Sequence, residues 1–304
     1  MCDTRTAHAH EHTHGEGHPG HELPMNARGD DFRVVVTGKG GVGKTTLTAL
    51  LARHMSRRGY RVLALDADPQ MNLPYALGLD MEEARNLVPL SENDDYVEEK
   101  TGARPGDGWG LFFRLNPDVD DVVDRFGVRG PDGVRLLVMG NTVQPAAGCL
   151  CPENALLASV ANAMSLRHDE AILMDTQAGF EHFGRALAKG FRHAVVVSDP
   201  TFNGLQVALR AARLARDLGI ESVHLVVNRA RNKLDFDRSL GTLDAGGGFP
   251  FTSRHWLPTD PLLPRIEPSI SQLFERPPTP FDQRIDGLLD AMLPIEELVR
   301  ECVS

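Results

Sequence analysis

Cysteine is scarce in this sequence, with four residues among 304. That number cannot staple a small secreted scaffold. A chain of this length buries roughly three quarters of its extended surface without such help. Long apolar runs are absent too. No stretch approaches the ~18 consecutive apolar residues of a membrane-spanning helix. The amino terminus lacks the apolar core of a secretory signal, so the expected location is cytoplasmic. Positive charge is in deficit: 32 Lys and Arg stand against 42 Asp and Glu, a formal net charge of -10. That balance disfavours both nucleic acid and anionic membrane as partners.

What is present is unevenly placed. Six of the 12 histidines fall in HAHEHTHGEGHPGH, at His8, His10, His12, His14, His18 and His21. Gly, Pro, Glu and Thr separate them, and the segment offers nothing to bury. Residues 1–31 read as a flexible metal-binding head. Neutral imidazole suits Ni(II), Zn(II), Co(II) and Cu(II), and affinity alone does not name the ion. A cloning tag or plain low complexity is the bland alternative.

Ordered structure is expected from Phe32 to the end, as one domain over residues 32–304. FRVVVT reads as a buried strand and is followed at once by GKGGVGKTT, Gly38 to Thr46. This is the G-x-x-x-x-G-K-[ST] pattern in its strand-to-helix setting. Gly38, Gly40, Gly41, Val42 and Gly43 turn backbone N–H groups toward phosphates, and the helix that starts at Lys44 adds free donors. Lys44 is expected on the β- and γ-phosphates. The Thr45 hydroxyl is expected on Mg²⁺, with Thr46 beside it. RVLALDADPQMNL then brings Asp66 and Asp68 to a strand end, on one face if the strand continues. EAILMDTQAG brings Asp175 to another, in position to hold Mg²⁺ through its water shell.

Lys39, a second lysine inside the loop, carries a resemblance. KGGVGKT is similar to the loop of the deviant-P-loop ATPases, which include the septum-positioning and plasmid-partition ATPases and the nitrogenase iron protein. The resemblance implies that Lys39 reaches a partner's phosphates across a nucleotide-sandwiched dimer. It implies that Asp68 positions the attacking water and that Asp66 supports the Mg²⁺ region. It also implies that Asn228, beside Arg229 at the end of SVHLVVNRAR, contacts adenine. LPTDPLL, with Pro258 and Asp260, is a candidate second element around the purine. NKLD, Asn232 to Asp235, matches a guanine-recognition pattern but lies past the strand end. ATP is therefore favoured over GTP.

Two further cysteines form GCLCP, Cys149 and Cys151, ahead of a predicted helix. A redox pair or two small buried side chains would read the same way. One pair supplies two ligands, where a tetrahedral site wants four. Two subunits meeting on a two-fold axis would supply four thiolates, suited to Ni(II) or Zn(II). Taken with DADPQMNL and DTQAGFEHFGRA, this motif resembles the CooC-type accessory ATPases that mature nickel-containing carbon monoxide dehydrogenase. That family binds nickel through paired cysteines at a dimer interface, and ATP drives dimer formation. The resemblance implies a homodimer stabilised by ATP and metal, acting on a nickel-acceptor metalloenzyme. The histidine head, the glycine-rich AGGGFPF and the loop SDPTFNGL depart from the family's compact core.

Strand and helix alternate along the chain. The expected fold is α/β, a mostly parallel sheet with helices on both faces, as in P-loop NTPases. The acidic stretch from Asp80 to Gly130 is expected beside the active site, at the dimer face, or as plain solvated surface. Competing functions are a GTP-dependent nickel chaperone of hydrogenase or urease maturation, and a partition or positioning ATPase. An electron donor like the nitrogenase iron protein needs separated cluster cysteines, a spacing that GCLCP lacks.

Overall fold

A computed structural model describes residues 32–105, 114–140, 152–163, 170–178 and 190–293. The histidine head, Cys149, Cys151 and the span from Gly179 to Arg185 lie outside the described residues.

Eight strands form one sheet in the order β3-β4-β2-β5-β1-β6-β7-β8. They are β1 (Phe32–Gly38), β2 (Arg61–Ala67), β3 (Val128–Arg129), β4 (Arg135–Val138), β5 (Glu170–Thr176), β6 (His193–Ser198), β7 (Ser222–Asn228) and β8 (Ser253–Leu257). All neighbours are parallel except β3, which runs antiparallel to β4 at one edge. This is the expected mostly parallel sheet. β1 is central, and all seven of its residues are buried. Its run of β-branched residues suits a strand covered on both faces.

Alternation along β1 sorts the core into two halves. Val34 and Val36 pack with Leu47, Leu50 and Leu51 of α1 (Lys44–Arg57) on one face. Val35 packs on the other with helices that cover the opposite side. After α2 (Leu73–Leu77), the acidic region holds α3 (Met81–Arg85), α4 (Asp94–Thr101) and α5 (Val122–Phe126). It is more than solvated surface. Tyr96 is wholly buried, its hydroxyl donates to Asp121 at 3.0 Å, and Lys100 meets the same carboxylate at 2.7 Å. Among the described residues the remaining α-helices are α6 (Pro152–Ala163), α7 (Phe202–Asp217), α8 (Lys233–Ala245), α9 (Leu263–Ile266) and α10 (Pro280–Asp290). β1 connects to β2 on one side of itself, while β6 lies on its other side. The strand order therefore reverses beside β1, and ligands bind outside the carboxyl ends at such a point.

A histidine row crosses the amino-terminal half of β6, β7 and β8. His193 Nδ1 lies 3.2 Å from His224 Nε2. His224 Nδ1 is 2.7 Å from Ser253 Oγ, which is 2.7 Å from His255 Nε2. Burial lowers His193 to about 4, and burial with the neighbouring imidazoles lowers His224 to about 3. Both are neutral in the folded chain at pH 6, whereas the unfolded chain starts to bind protons there. The stability these two histidines contribute is therefore full above about pH 7 and falls as pH drops through 6.5 toward 4, by on the order of 2 kcal/mol for each at pH 5. Asp66 and Asp175, both raised by burial, pull the other way over the same range, so the test is a difference: the urea midpoint of His224→Leu should rise relative to wild type between pH 7 and 5. A midpoint difference between the two proteins that stays constant from pH 7 to 5 would refute this.

Candidate nucleotide site

The phosphate loop leaves the sheet where only glycine fits. Gly38 has φ 145, and a Cβ there would stand 2.1 Å from the Val197 carbonyl oxygen. Gly43, with φ 93, immediately precedes α1, and a Cβ there would lie 2.7 Å from Asn228 Nδ2. The first turn of α1 holds no acidic residue, and Gly43 has no side chain to cap it. The helix end thus keeps its N–H donors for an anion.

Lys44 and Thr45 start that helix beneath the loop. Lys44 is 7% exposed, and its Nζ donates to the Lys39 carbonyl at 3.3 Å. Burial lowers its pKa, while Asp175 and Asp68 oppose that shift. The Thr45 hydroxyl donates to Asp175 Oδ2 at 2.6 Å. Thr48, one helical turn after Lys44, places its hydroxyl 3.4 Å from Asp175 Oδ1. Asp175 is fully buried at the end of β5, and burial pushes it up to about 6 against the Thr45 hydrogen bond and the Lys44 charge. A dry carboxylate beside a hydroxyl is a hard-oxygen donor set, and that chemistry fits Mg²⁺. Thr48 escaped the sequence reading, although its spacing from Lys44 put it on the same helix face.

Asp66 and Asp68 separate in role. Asp66 sits level with Asp175 across the β2–β5 ladder and is fully buried. Its Oδ1 accepts from the Asp68 N–H at 3.1 Å, and its Oδ2 from the Leu73 N–H at 3.0 Å. Burial, with Asp175 next, pushes it up to about 8. Asp68 is half-buried and accepts the Gln70 N–H at 3.0 Å. β2 ends at Ala67, so the two carboxylates do not continue one strand face. Each oxygen of Asp66 thus accepts a backbone N–H, a contact its expected place in the Mg²⁺ region did not include.

Two residues expected on the purine side have partners within the protein. Asn228 Nδ2 donates to the Val42 carbonyl at 2.8 Å, and its Oδ1 accepts the Arg229 N–H at 2.9 Å. Asn228 therefore braces the phosphate loop with the atoms expected on adenine. Asp260 is 4% exposed and is gripped by Arg276 at 3.1 and 2.5 Å, with the Leu262 N–H at 2.9 Å. Its carboxylate fastens the loop after β8. Nothing in the sequence marked Arg276 as its partner. Pro258 is half-exposed at the start of that loop, and Arg229 is exposed with a left-handed φ of 59. NKLD proves to be a helix start. Asn232 accepts the Asp235 N–H at 3.0 Å as N-cap of α8, and Asp235 pairs with Arg231 at 2.7 Å.

Lys39 stands half-exposed on the crest of the loop. Cys149, Cys151 and the six head histidines fall outside the described residues. Among the described residues no group of three or more metal-ligating side chains converges, and no helix is long and apolar enough to cross a membrane.

Residues 33–253 match the family described as the CobQ/CobB/MinD/ParA nucleotide binding domain. The carbon monoxide dehydrogenase accessory protein CooC of Rhodospirillum rubrum is 39% identical over 226 residues, 73% of this chain and 84% of that protein. An uncharacterized ATP-binding protein of Methanocaldococcus jannaschii is 39% identical over 202 residues, 66% of this chain and 76% of its own. Among solved structures, the cell division ATPase MinD of Pyrococcus furiosus superposes with a TM-score of 0.58 at 22% identity, covering 88% of this chain and 99% of that one. A plasmid partition protein of Borrelia burgdorferi bound to AMPPNP gives 0.57 at 14% identity, over 86% of this chain and 98% of that one. At those identities the superpositions speak for the fold.

Proposed function

This chain is a P-loop ATPase belonging to the CobQ/CobB/MinD/ParA nucleotide-binding family and, within it, to the CooC-type group, and from that premise we propose that it is a dimeric, Mg²⁺-dependent ATPase that inserts nickel into a metalloenzyme such as carbon monoxide dehydrogenase. Similarity to the R. rubrum accessory protein supports the choice of cargo. The observation that carries the chemistry is the dry Thr45–Asp175 pair beside Lys44.

The loop N–H groups from Gly40 to Thr45 cradle the phosphates. Lys44 leaves the Lys39 carbonyl for the β- and γ-phosphate oxygens. Thr45 and Asp175 would hold Mg²⁺, which would supply positive charge against the transferring phosphoryl group. Asp68 orients the attacking water. Asn228 keeps the loop closed from below, while the base lies beside Arg229 and Pro258. Lys39 acts across the dimer as a fixed cation on the partner's phosphates. Closure brings Cys149 and Cys151 of both protomers together as four thiolates for nickel, the cargo. Metal binding and ATP binding then strengthen each other by linkage. The head histidines act as a low-selectivity reservoir. The use of NKLD as a helix cap past the strand end supports ATP over the GTP of a GTP-dependent chaperone.

Lys39 supplies the test of dimeric action. Lys39→Ala should lower turnover about 100-fold while leaving monomer nucleotide affinity near wild type. Mixing it with Asp68→Asn should restore roughly a quarter of wild-type turnover, because half the dimers are mixed and each has one competent site. No recovery on mixing would place Lys39 in its own site and overturn the trans role.

A further inference from the structure

We infer that Asp66 is a positioning residue that clasps the 66–73 turn and thereby sets Asp68, an inference that rests on the reading of Asp68 as the group that orients the attacking water. One buried carboxylate bridges both ends of that turn. Oδ1 takes the N–H of Asp68 at its start, at 3.1 Å, and Oδ2 takes the N–H of Leu73 at its end, at 3.0 Å. The backbone of Asp66 is itself fixed, because its carbonyl accepts the Met139 N–H at 2.8 Å and its strand pairs with β4 and β5. Leu73 begins α2 and is fully buried in the core shared with α1. The clasp therefore ties a half-buried functional side chain to rigid structure at two points.

The turn between those points needs holding. Met71 adopts φ 49, a left-handed conformation that a residue with a side chain enters at a cost. The Met71 N–H closes on the Asp68 carbonyl at 2.9 Å, and the Gln70 N–H takes Asp68 Oδ1 at 3.0 Å. Among the described residues the second carboxylate oxygen of Asp68 has no hydrogen-bond partner, which suits the proposed role of orienting a water. A strained turn of this kind persists only where its surroundings over-determine it. Asp66 supplies that constraint with two hydrogen bonds to backbone. Meanwhile Thr45 and Asp175 form a hard-oxygen pair that does not include Asp66.

Asp66→Asn keeps the shape but presents an N–H₂ where one backbone N–H needs an acceptor. The full-length variant is expected to lose tenfold or more in kcat. Its KM for ATP and its half-saturating Mg²⁺ should stay within threefold of wild type. Amide exchange at Asp68 and Leu73 should rise tenfold or more, while β1 amides keep their protection. Asp66→Ser, with a single acceptor, should behave the same way. Turnover within twofold of wild type in a folded variant overturns the clasp. So does a tenfold rise in half-saturating Mg²⁺ with kcat restored at high Mg²⁺, since that marks a metal-shell group. Loss of the whole fold in both variants overturns it too, because a clasp confined to one turn leaves the sheet intact. Asp68→Asn, run alongside, separates the two readings. If it hydrolyses ATP normally, the role of Asp68 fails; if it is inactive while Asp66→Asn is normal, only the clasp fails.

Discussion

Lys44→Ala is expected to lower kcat/KM for ATP by about 10³-fold or more, the scale at which a preorganised cation or donor acts on transition-state charge. Lys44 is buried beneath a loop whose shape is set by Gly38 and Gly43, and its ammonium rests on the Lys39 carbonyl at 3.3 Å. Burial already disfavours that charge, and Asp175 and Asp68 sustain it. A phosphate arriving at this point meets a cation that has shed most of its water, where electrostatic attraction is strongest. Alanine leaves the phosphates without that charge and leaves Asp175 as a dry carboxylate without its ammonium neighbour. Lys44→Arg should be almost as damaging, because a planar guanidinium does not replace a point charge under a closed loop. Steady-state hydrolysis measures the loss. A near-normal circular dichroism spectrum and thermal midpoint would show that the sheet survives. Turnover above a tenth of wild type in Lys44→Ala would remove this lysine from the chemistry.

Replacing Cys149 and Cys151 together with serine is expected to remove the tightly held metal of the ATP-bound dimer altogether. Serine keeps the size of the side chain but not the soft thiolate that selects Ni(II) or Zn(II). One pair cannot complete a tetrahedral or square-planar set, so losing it from both protomers takes away all four ligands. Hydrolysis chemistry should survive, because Lys44, Thr45, Asp68 and Asp175 are untouched. Dimerisation with metal present should weaken by more than tenfold, since the linkage between metal and association is gone. Metal analysis of the isolated dimer, with sedimentation at several protein concentrations, measures both effects.

Much of the fold was legible because local signals agreed. FRVVVT and HAVVVS are β-branched runs that suit only a strand covered on both faces, and the phosphate loop fixed the strand-to-helix step at Gly38 to Lys44. Asp175 was legible because an apolar run ended on a carboxylate, and the Thr45 contact follows from the loop pattern. The purine side was less legible, because its side chains answer to partners far along the chain. Asp260 is committed to Arg276, and Asn228 to the Val42 carbonyl 186 residues away. Spacing could not distinguish Asp66 from Asp68 either. Alternation assumes a continuing strand, and the chain turns after Ala67, which gives one carboxylate to the backbone and leaves the other within electrostatic reach of Lys44. NKLD illustrates the reverse case. A recognition pattern is also an acceptable helix start, since Asn is a strong N-cap.

Metal stoichiometry and mass, measured together on the full-length chain with MgADP and with a slowly hydrolysed ATP analogue, bear most directly on the proposed coupling of nucleotide, dimer and nickel. Running the same measurement on a chain that begins at Phe32 separates the head histidines from the cysteine pair. The expected result is a monomer with ADP and a dimer with the analogue, holding one tightly bound nickel that remains when the head is removed and vanishes in the Cys149→Ser/Cys151→Ser variant. One nickel per monomer, independent of nucleotide and retained in that variant without the head, would contradict it.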